Sequence, residues 1–279
     1  MHIAIIVSKQ DLAGLTIKQA LLELVEFKET KEEFDGNSVF EFHSQKFGLE
    51  FQNFKLYTIN EFQVIADYVN KISADLFVFA SKHASAKGIP SLTVHSIGNF
   101  GLAQLGGKEN TICPTSAIIQ ASYLKALQKA KNGQNLAYEI TMEATHHGPF
   151  LTKPSVFIEL GSNETAWQDP LGGQIIAQTI LETDYSSKQN KLVAIALGGN
   201  HYCSSFNKLV LEKNYAIAFV CPKHGLTYLT KDLLSQMIVN TQEPVTEILI
   251  DSKSLGTEKP KVLDLLDQLP NPKPKITRI

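Results

Sequence analysis

Short apolar runs, separated by stretches with helical spacing, recur along the whole chain. "IAIIVS" (3–8) reads as a buried strand, and Leu15, Ile17, Leu21, Leu22 and Val25 then fall close to the 3.6-residue period of a helix over 12–27. "SVFEFH", "KFGLEF" and "KLYTI", between 38 and 59, read as a short meander. A helix over 62–72 and a buried strand "ADLFVFAS" (74–81) follow, then a short strand "SLTVHS" (91–96). Thr115 is placed to cap a helix running to about Lys131. "NLAYEITMEA" (135–144) alternates, which suggests antiparallel pairing, and "SVFIELGS" (155–162) is another buried strand. Asn163 or Thr165 can cap a helix through about Leu181. Strands at 191–199, 215–220 and 245–251 alternate with a helix at 232–240, and a last helix spans 254 to about 269. The pattern implies a mixed, mostly parallel α/β sheet with helices on both faces. With no internal repeat and no low-complexity linker, it implies one domain over 1–279.

Composition adds exclusions. The chain has 279 residues, 43% of them hydrophobic and 19% charged, which is ordinary globular composition with ample length for a core. No window approaches the roughly 18 apolar residues of a membrane span, and the start lacks the pattern of a signal peptide. A soluble, cytoplasmic protein is expected. Cys113, Cys203 and Cys221 form no C-x-x-C pair and read as buried free thiols. The net charge is −2, and Arg278 is the only arginine, so bidentate guanidinium contacts to phosphate are nearly unavailable. A nucleic acid would be held by lysines and backbone amides. The one basic cluster, Lys273, Lys275 and Arg278, reads as a solvated tail or as one that touches phosphate.

In open α/β sheets, ligands bind outside the carboxyl ends of the strands. The residues with chemistry follow that rule: "SKH" (81–83), His95, "THH" (145–147), Glu159 and "GGNHY" (198–202) each follow or end an apolar run. Five of the 8 histidines thereby gather at one expected edge, while His2 and His43 fall elsewhere and read as structural. Imidazoles with carboxylates are the ligand set of a Zn²⁺ site with an open position. H-E-x-x-H is absent, so such a site would be assembled from separate loops. Gly148-Pro149 turns the chain directly after the histidine pair, and Gly198-Gly199 and Gly106-Gly107 allow close backbone approach. A nucleophile elbow, a Walker A loop and a strand-linked G-x-G-x-x-G are all missing, which argues against a serine nucleophile and against nucleotide cofactors.

Taken together and in order, "SKHAS", "SLTVHSIGNFG", "YEITMEATHHGP", "FIELGSNETAW" and "LGGNHY" resemble the zinc-dependent D-aminoacyl-tRNA deacylases of archaea and plants. The resemblance is dense from about Ala74 to Tyr202 and thinner beyond, where "CSSFNK" follows "GGNHY" in place of a proline and a basic residue, and His224 takes the place of an aromatic. It implies a three-layer α/β/α fold like those of phosphorylases and peptidyl-tRNA hydrolases, a zinc cofactor and a monomer. It also implies hydrolysis of the ester that joins a D-amino acid to the tRNA 3′ end. His83, His146, His147, Glu159 and His201 are then expected to supply metal ligands or proton-transfer groups. Ser81, Lys82, His95, Asn99, Gly148, Gly198, Gly199 and Tyr202 are expected to contact substrate at the acceptor end of the tRNA, with Lys82 on phosphate or on the developing oxyanion. Glu143 belongs to the third motif without an assigned role. Another zinc hydrolase, a peptidyl-tRNA hydrolase-like enzyme and a non-catalytic RNA-binding protein are the alternatives.

Overall fold

The structure is a computed structural model and describes residues 1–44, 52–134, 136–186 and 191–279. Strand β1 (His2–Ser8) is buried from Ile3 onward, and Asp11 then caps α1 (Leu12–Leu24) by accepting from the Gly14 amide at 3.0 Å. A meander follows: β2 (Lys28–Phe34), β3 (Asn37–Ser44) and β4 (Gln52–Ile59). The charged "KETKEEF" of β2 carries no apolar alternation because its side chains are mostly exposed, so sequence periodicity misses it. The "KFGLEF" run lies outside the described residues, apart from its flanks in β3 and β4.

The helix expected over 62–72 is instead two short 3-10 turns, Gln63–Ile65 and Asp67–Lys71. Tertiary bonds compete with the helical ladder there. Asp67 Oδ1 accepts from the Phe150 amide, Asn70 Nδ2 donates to the Phe150 carbonyl and Gln63 Nε2 donates to the Ala80 carbonyl. Next come β5 (Leu76–Ala84), β6 (Ser91–His95), β7 (Gly98–Asn99), β8 (Thr111–Ile112), α2 (Ala117–Gln134), β9 (Glu139–Met142) and β10 (Ser155–Ser162). Ser116, not Thr115, caps α2: its Oγ accepts from the Ile119 amide, and the Glu243 carboxylate takes the Ala117 and Ile118 amides. The Thr115 hydroxyl is spent on the Ser155 carbonyl.

The helix expected from 163 to 181 is two helices, α3 (Glu164–Trp167), capped by Asn163, and α4 (Pro170–Glu182), capped by Asp169. Pro170 cannot continue α3 but suits the first turn of α4. The last part holds β11 (Leu192–Leu197), α5 (Ser204–Glu212), β12 (Tyr215–Cys221), α6 (Lys231–Val239), β13 (Glu247–Ile250), α7 (Lys259–Asp267) and β14 (Lys275–Arg278). The basic tail is thus an edge strand. β14 runs parallel to β13, and Glu247 fastens it by accepting from Thr277 Oγ1 at 2.6 Å.

The architecture is mixed and mostly parallel, as the pattern predicts, but the strands divide between two sheets. The larger has the order β2-β3-β4-β1-β5-β10-β6-β9, the smaller β12-β11-β13-β14, and β7 pairs with β8 in a ribbon. In the larger sheet β4, β1, β5 and β10 are parallel, whereas β6 runs against β10. β9 pairs in parallel with β6, so the antiparallel pairing expected at 135–144 sits one strand further in. One face of this sheet packs Ile5, Val78, Ile158 and Leu160 against α1 and α4; the other carries Phe77, Phe79 and Phe157. Cys113, Cys203 and Cys221 are free and buried. No helix among the described residues is long and apolar enough to cross a membrane.

Candidate active site

Strand alternation builds the floor of the site. Glu159 of β10 lies between Ser81 of β5 and Thr93 of β6, while His83 and His95 are two residues along on the same face. Ser81 Oγ donates to Glu159 Oε1 at 2.7 Å and Thr93 Oγ1 to Oε2 at 3.4 Å. His95 stacks on Phe157, with ring centroids 5.0 Å apart. Because β6 and β9 run against β5, the cluster lies on the sheet's face, not in a row along one edge. The carboxyl-end rule therefore holds for His83 but not for Glu159 in mid-strand.

The segment after β9 forms the roof and is stitched to both sheets. The Glu143 amide bonds the Val94 carbonyl, the Thr145 amide bonds the Val220 carbonyl of the smaller sheet, and the Ala144 amide bonds the His201 carbonyl. The Thr145 and Ser96 hydroxyls meet at 2.7 Å. His147 sits at φ 46°, a left-handed conformation unusual for a residue with a Cβ, and its Nδ1 lies 2.6 Å from the Gly148 carbonyl.

Glu143 is the hub. It is 2% exposed, with Oε2 2.7 Å from His201 Nε2 and 3.9 Å from His146 Nε2, and Oε1 3.0 Å from His83 Nδ1. Oε1 nevertheless makes no aligned hydrogen bond, so it is a buried acceptor with free capacity. The motif that contains Glu143 gives it no role by itself. The signal was there, in a carboxylate three residues before a histidine pair, where the alternation of β9 ends.

The structure gathers His83, His146, His147, Glu159 and His201 into three overlapping groups whose ligand atoms lie within 4.8 Å of one another: His95, His146 and His147; Glu143, His146 and His201; and His83, Glu143 and Glu159. His95 and Glu143 join the expected set. These residues fit a metal ion. His95, His146 and His147 each place Nδ1 against a backbone carbonyl, of Ser96 (3.1 Å), Ala144 (2.7 Å) and Gly148 (2.6 Å). In His146 and His147 that contact holds the proton on Nδ1 and leaves Nε2 as a lone pair, as in ligating histidines generally. His95 Nε2 has no aligned hydrogen-bond partner but lies 3.5 Å from Glu159 Oε1; burial opposes its charge, yet Glu159 and Glu143 outweigh burial and raise its pKa.

Electrostatics separate the imidazoles by role. Burial, helped by the neighbouring His95, pushes His147 down to about 4 and His146 well below the usual histidine range, so both are neutral at pH 7. His83 goes the other way. Burial opposes its charge, but the nearby Glu143 and Glu159 carboxylates outweigh burial and raise it to about 10. Burial likewise works against the charge on Glu143 and Glu159, yet their histidine contacts prevail and hold both below the usual carboxylate range.

The remaining expected residues divide. Tyr202 OH bonds Ser85 Oγ at 2.9 Å and lies 3.5 Å from His83 Nε2, at the rim of the cluster. Lys82 leaves β5 on the opposite face from Ser81 and His83, with its ammonium over the Phe62 and Trp167 rings at 4.9 and 5.2 Å. Asn99 Nδ2 donates to the Gly106 and Lys108 carbonyls and so shapes the 100–110 loop. Gly148 packs against that loop: an added Cβ would lie 2.3 Å from both Gly107 N and Val64 O. Gly198 and Gly199, at φ 95° and 79°, carry the chain from β11 to His201.

The sequence matches the model of the D-aminoacyl-tRNA deacylase family over residues 70–271. That span includes the C-terminal part where the motif resemblance is thin. Proteins named D-aminoacyl-tRNA deacylase are similar along nearly their whole length. That of Pyrococcus furiosus is 34% identical over 275 residues, covering 95% of this chain and 96% of its own. That of Thermococcus onnurineus is 36% identical over 276 residues, with 95% and 96% covered. That of Methanosarcina mazei is 34% identical over 276 residues, with 96% and 90% covered. Among solved structures, a conserved protein of unknown function, AF0625, superposes with a TM-score of 0.86 at 27% identity, covering 100% of this chain and 95% of its own. The motifs, the clustered imidazoles and these full-length similarities agree: the chain belongs to the D-aminoacyl-tRNA deacylase family.

Proposed function

We propose that the protein hydrolyses the ester between a D-amino acid and the 3′ end of tRNA, using a zinc ion held by the face-mounted histidines. One observation carries the reading: three imidazoles, their Nδ1 atoms tied to backbone carbonyls, present Nε2 beside two buried, ionised carboxylates. His95, His146 and His147 would hold the metal: the latter two are kept neutral, and the ion would displace the proton that Glu159 favours on His95. A bound zinc ion lowers the pKa of its water to about 7 and polarises a carbonyl oxygen.

The protein's own groups do the rest. Glu143 Oε1, ionised and without an aligned donor, takes the proton of the attacking water. Ser81 and Thr93 hold Glu159 in one orientation, and Glu159 with Glu143 keeps a proton on His83. His83 can return that proton to the leaving ribose oxygen, with the Tyr202 hydroxyl beside it at 3.5 Å. An ester has a good leaving group, so positioning and charge stabilisation account for most of the rate. Aminoacyl-tRNA is met where translation occurs, and we place the protein in the cytoplasm, acting as a monomer.

Matched D- and L-aminoacyl-tRNA, each followed for release of free amino acid, test the reading. Selective turnover of the D-ester is expected. Equal turnover of both enantiomers, or none by metal-loaded protein, overturns it. Full activity after metal removal defeats the zinc part alone.

A further inference from the structure

A cavity of about 820 Å³ adjoins the histidine cluster and has no part in the chemistry above. Its walls follow the carboxyl ends of three strands of the smaller sheet: Gly199 to His201 after β11, Lys223 and His224 after β12, and Asp251 to Ser254 after β13. β12, β11 and β13 are parallel, so those ends share one edge, which is where open parallel sheets hold ligands. His201 lines the cavity and also bonds Glu143, so this one side chain borders both the cavity and the cluster.

We propose that this cavity is the subsite for the terminal nucleotide of the RNA, with its phosphodiester on Lys223 and Lys253 and the ribose hydroxyl that does not carry the ester on Asp251. The proposal rests on the deacylase reading. The volume lies in the range of small-ligand sites, about 300–1,000 Å³. The wall carries both kinds of partner that a nucleotide requires. Lys223 and Lys253 have no ion-pair partner among the described residues, and their ammonium groups can meet a phosphate as point charges. Among the acidic groups of the lining, Glu258 is already engaged by Lys261 at 3.7 Å. Ile279 also borders the cavity.

Asp251 accepts the Lys253 amide on Oδ1 and the Ser205 hydroxyl on Oδ2, at 3.2 and 3.1 Å. Each carboxylate oxygen can accept more than one hydrogen bond, so capacity for the free ribose hydroxyl remains. The wall beside Asp251 is held close by Ser254, whose Oγ accepts from the Gly199 amide at 2.6 Å and donates to the Asp251 carbonyl at 2.9 Å. A side chain at Gly198 would put its Cβ 2.3 Å from Ser254 Oγ, so glycine is needed to keep this wall in place.

The test uses metal-loaded protein and a non-acylated acceptor minihelix ending in CCA, with binding read by fluorescence anisotropy across a salt series. The Lys223→Ala/Lys253→Ala variant should raise Kd about tenfold or more and reduce the salt slope by about one. Asp251→Asn should abolish the preference for a terminal adenosine over its 2′-deoxy form. Lys87→Ala/Lys131→Ala alters the neighbouring cleft, lined by His83 and Tyr202, and should leave Kd within twofold. Unchanged binding by the Lys223/Lys253 variant, or lost binding by the Lys87/Lys131 variant, overturns the subsite. Binding through Lys223 and Lys253 without cleavage of any D-ester would leave the subsite standing and overturn the activity instead.

Discussion

Replacing Glu143 by glutamine tests the hub of the site with almost no change in volume. The wild-type carboxylate accepts from His201 at 2.7 Å and stands 3.0 Å from His83, and it is 2% exposed. A hydrogen bond to a charged group contributes roughly 1.5–3 kcal/mol. General-base assistance contributes about 10²–10⁴-fold in rate. At about 1.36 kcal/mol per factor of ten, a Glu143→Gln variant should lose roughly 3–5 kcal/mol of transition-state stabilisation, nearly all of it in kcat. The neutral amide cannot take a water proton, and it withdraws one of the two charges that hold His83 near 10. Single-turnover deacylation gives the rate, and NMR titration of the metal-free protein should show His83 moving toward the ordinary histidine range. A folded, metal-loaded variant with kcat within threefold of wild type would refute the role of Glu143. An unmoved His83 would refute the electrostatic account of the cluster.

Metal removal should lower stability by mass action. At free zinc a hundredfold above Kd, the bound ion adds about 2.7 kcal/mol, and for 279 residues at ~2.1 cal/mol/K per residue this is about 5 °C in Tm, readable by melting with and without chelator. Gly148→Ala should destabilise by about 1–3 kcal/mol, because its Cβ would meet backbone atoms of Gly107 and Val64 that cannot yield; denaturant midpoints check this. Glu247 resists its own burial through bonds from Thr277, Tyr215 and Lys275, which lower its pKa. The stability it contributes is therefore present above the ordinary glutamate value near 4.5 and lost as pH falls through the lower folded value. Glu247→Gln should flatten that acid limb of the denaturation curve, and an unaltered limb would count against the account.

What was legible in the sequence followed from burial. β5, β10, β11 and β12 lie deep between packed layers, so each contains a continuous apolar run, and such a run announces itself. The histidines were legible for the opposite reason: polar residues at the ends of such runs stand out against them. Elements stabilised by tertiary bonds and not by their own pattern were hidden. β14 is four residues long and mostly exposed, and it is held by Glu247, which comes 28 residues earlier. The turns at 63–71 carry a helical spacing of apolar residues that Asp67 and Asn70 override from across the fold.

Strand direction was also hidden, and it matters most for the chemistry. A run such as "SLTVH" records how deeply it is buried but not which way it points. Had β6 been parallel to β10, its register would have carried His95 toward the same end as His83, along an edge. Running antiparallel, it sets His95 opposite Phe157 and Thr93 opposite Glu159, while β9, parallel to β6, delivers Glu143 over the same face. Two carboxylates are thereby buried within reach of one imidazole, an arrangement whose desolvation cost a stable fold gains nothing by bearing. His83 and His95, both raised by these carboxylates, offset that cost, while His146 and His147 are neutral and bring no positive charge. A metal ion on the histidines would take over that role from the His95 proton, and the antiparallel run of one short strand is what brings histidines and carboxylates together for it.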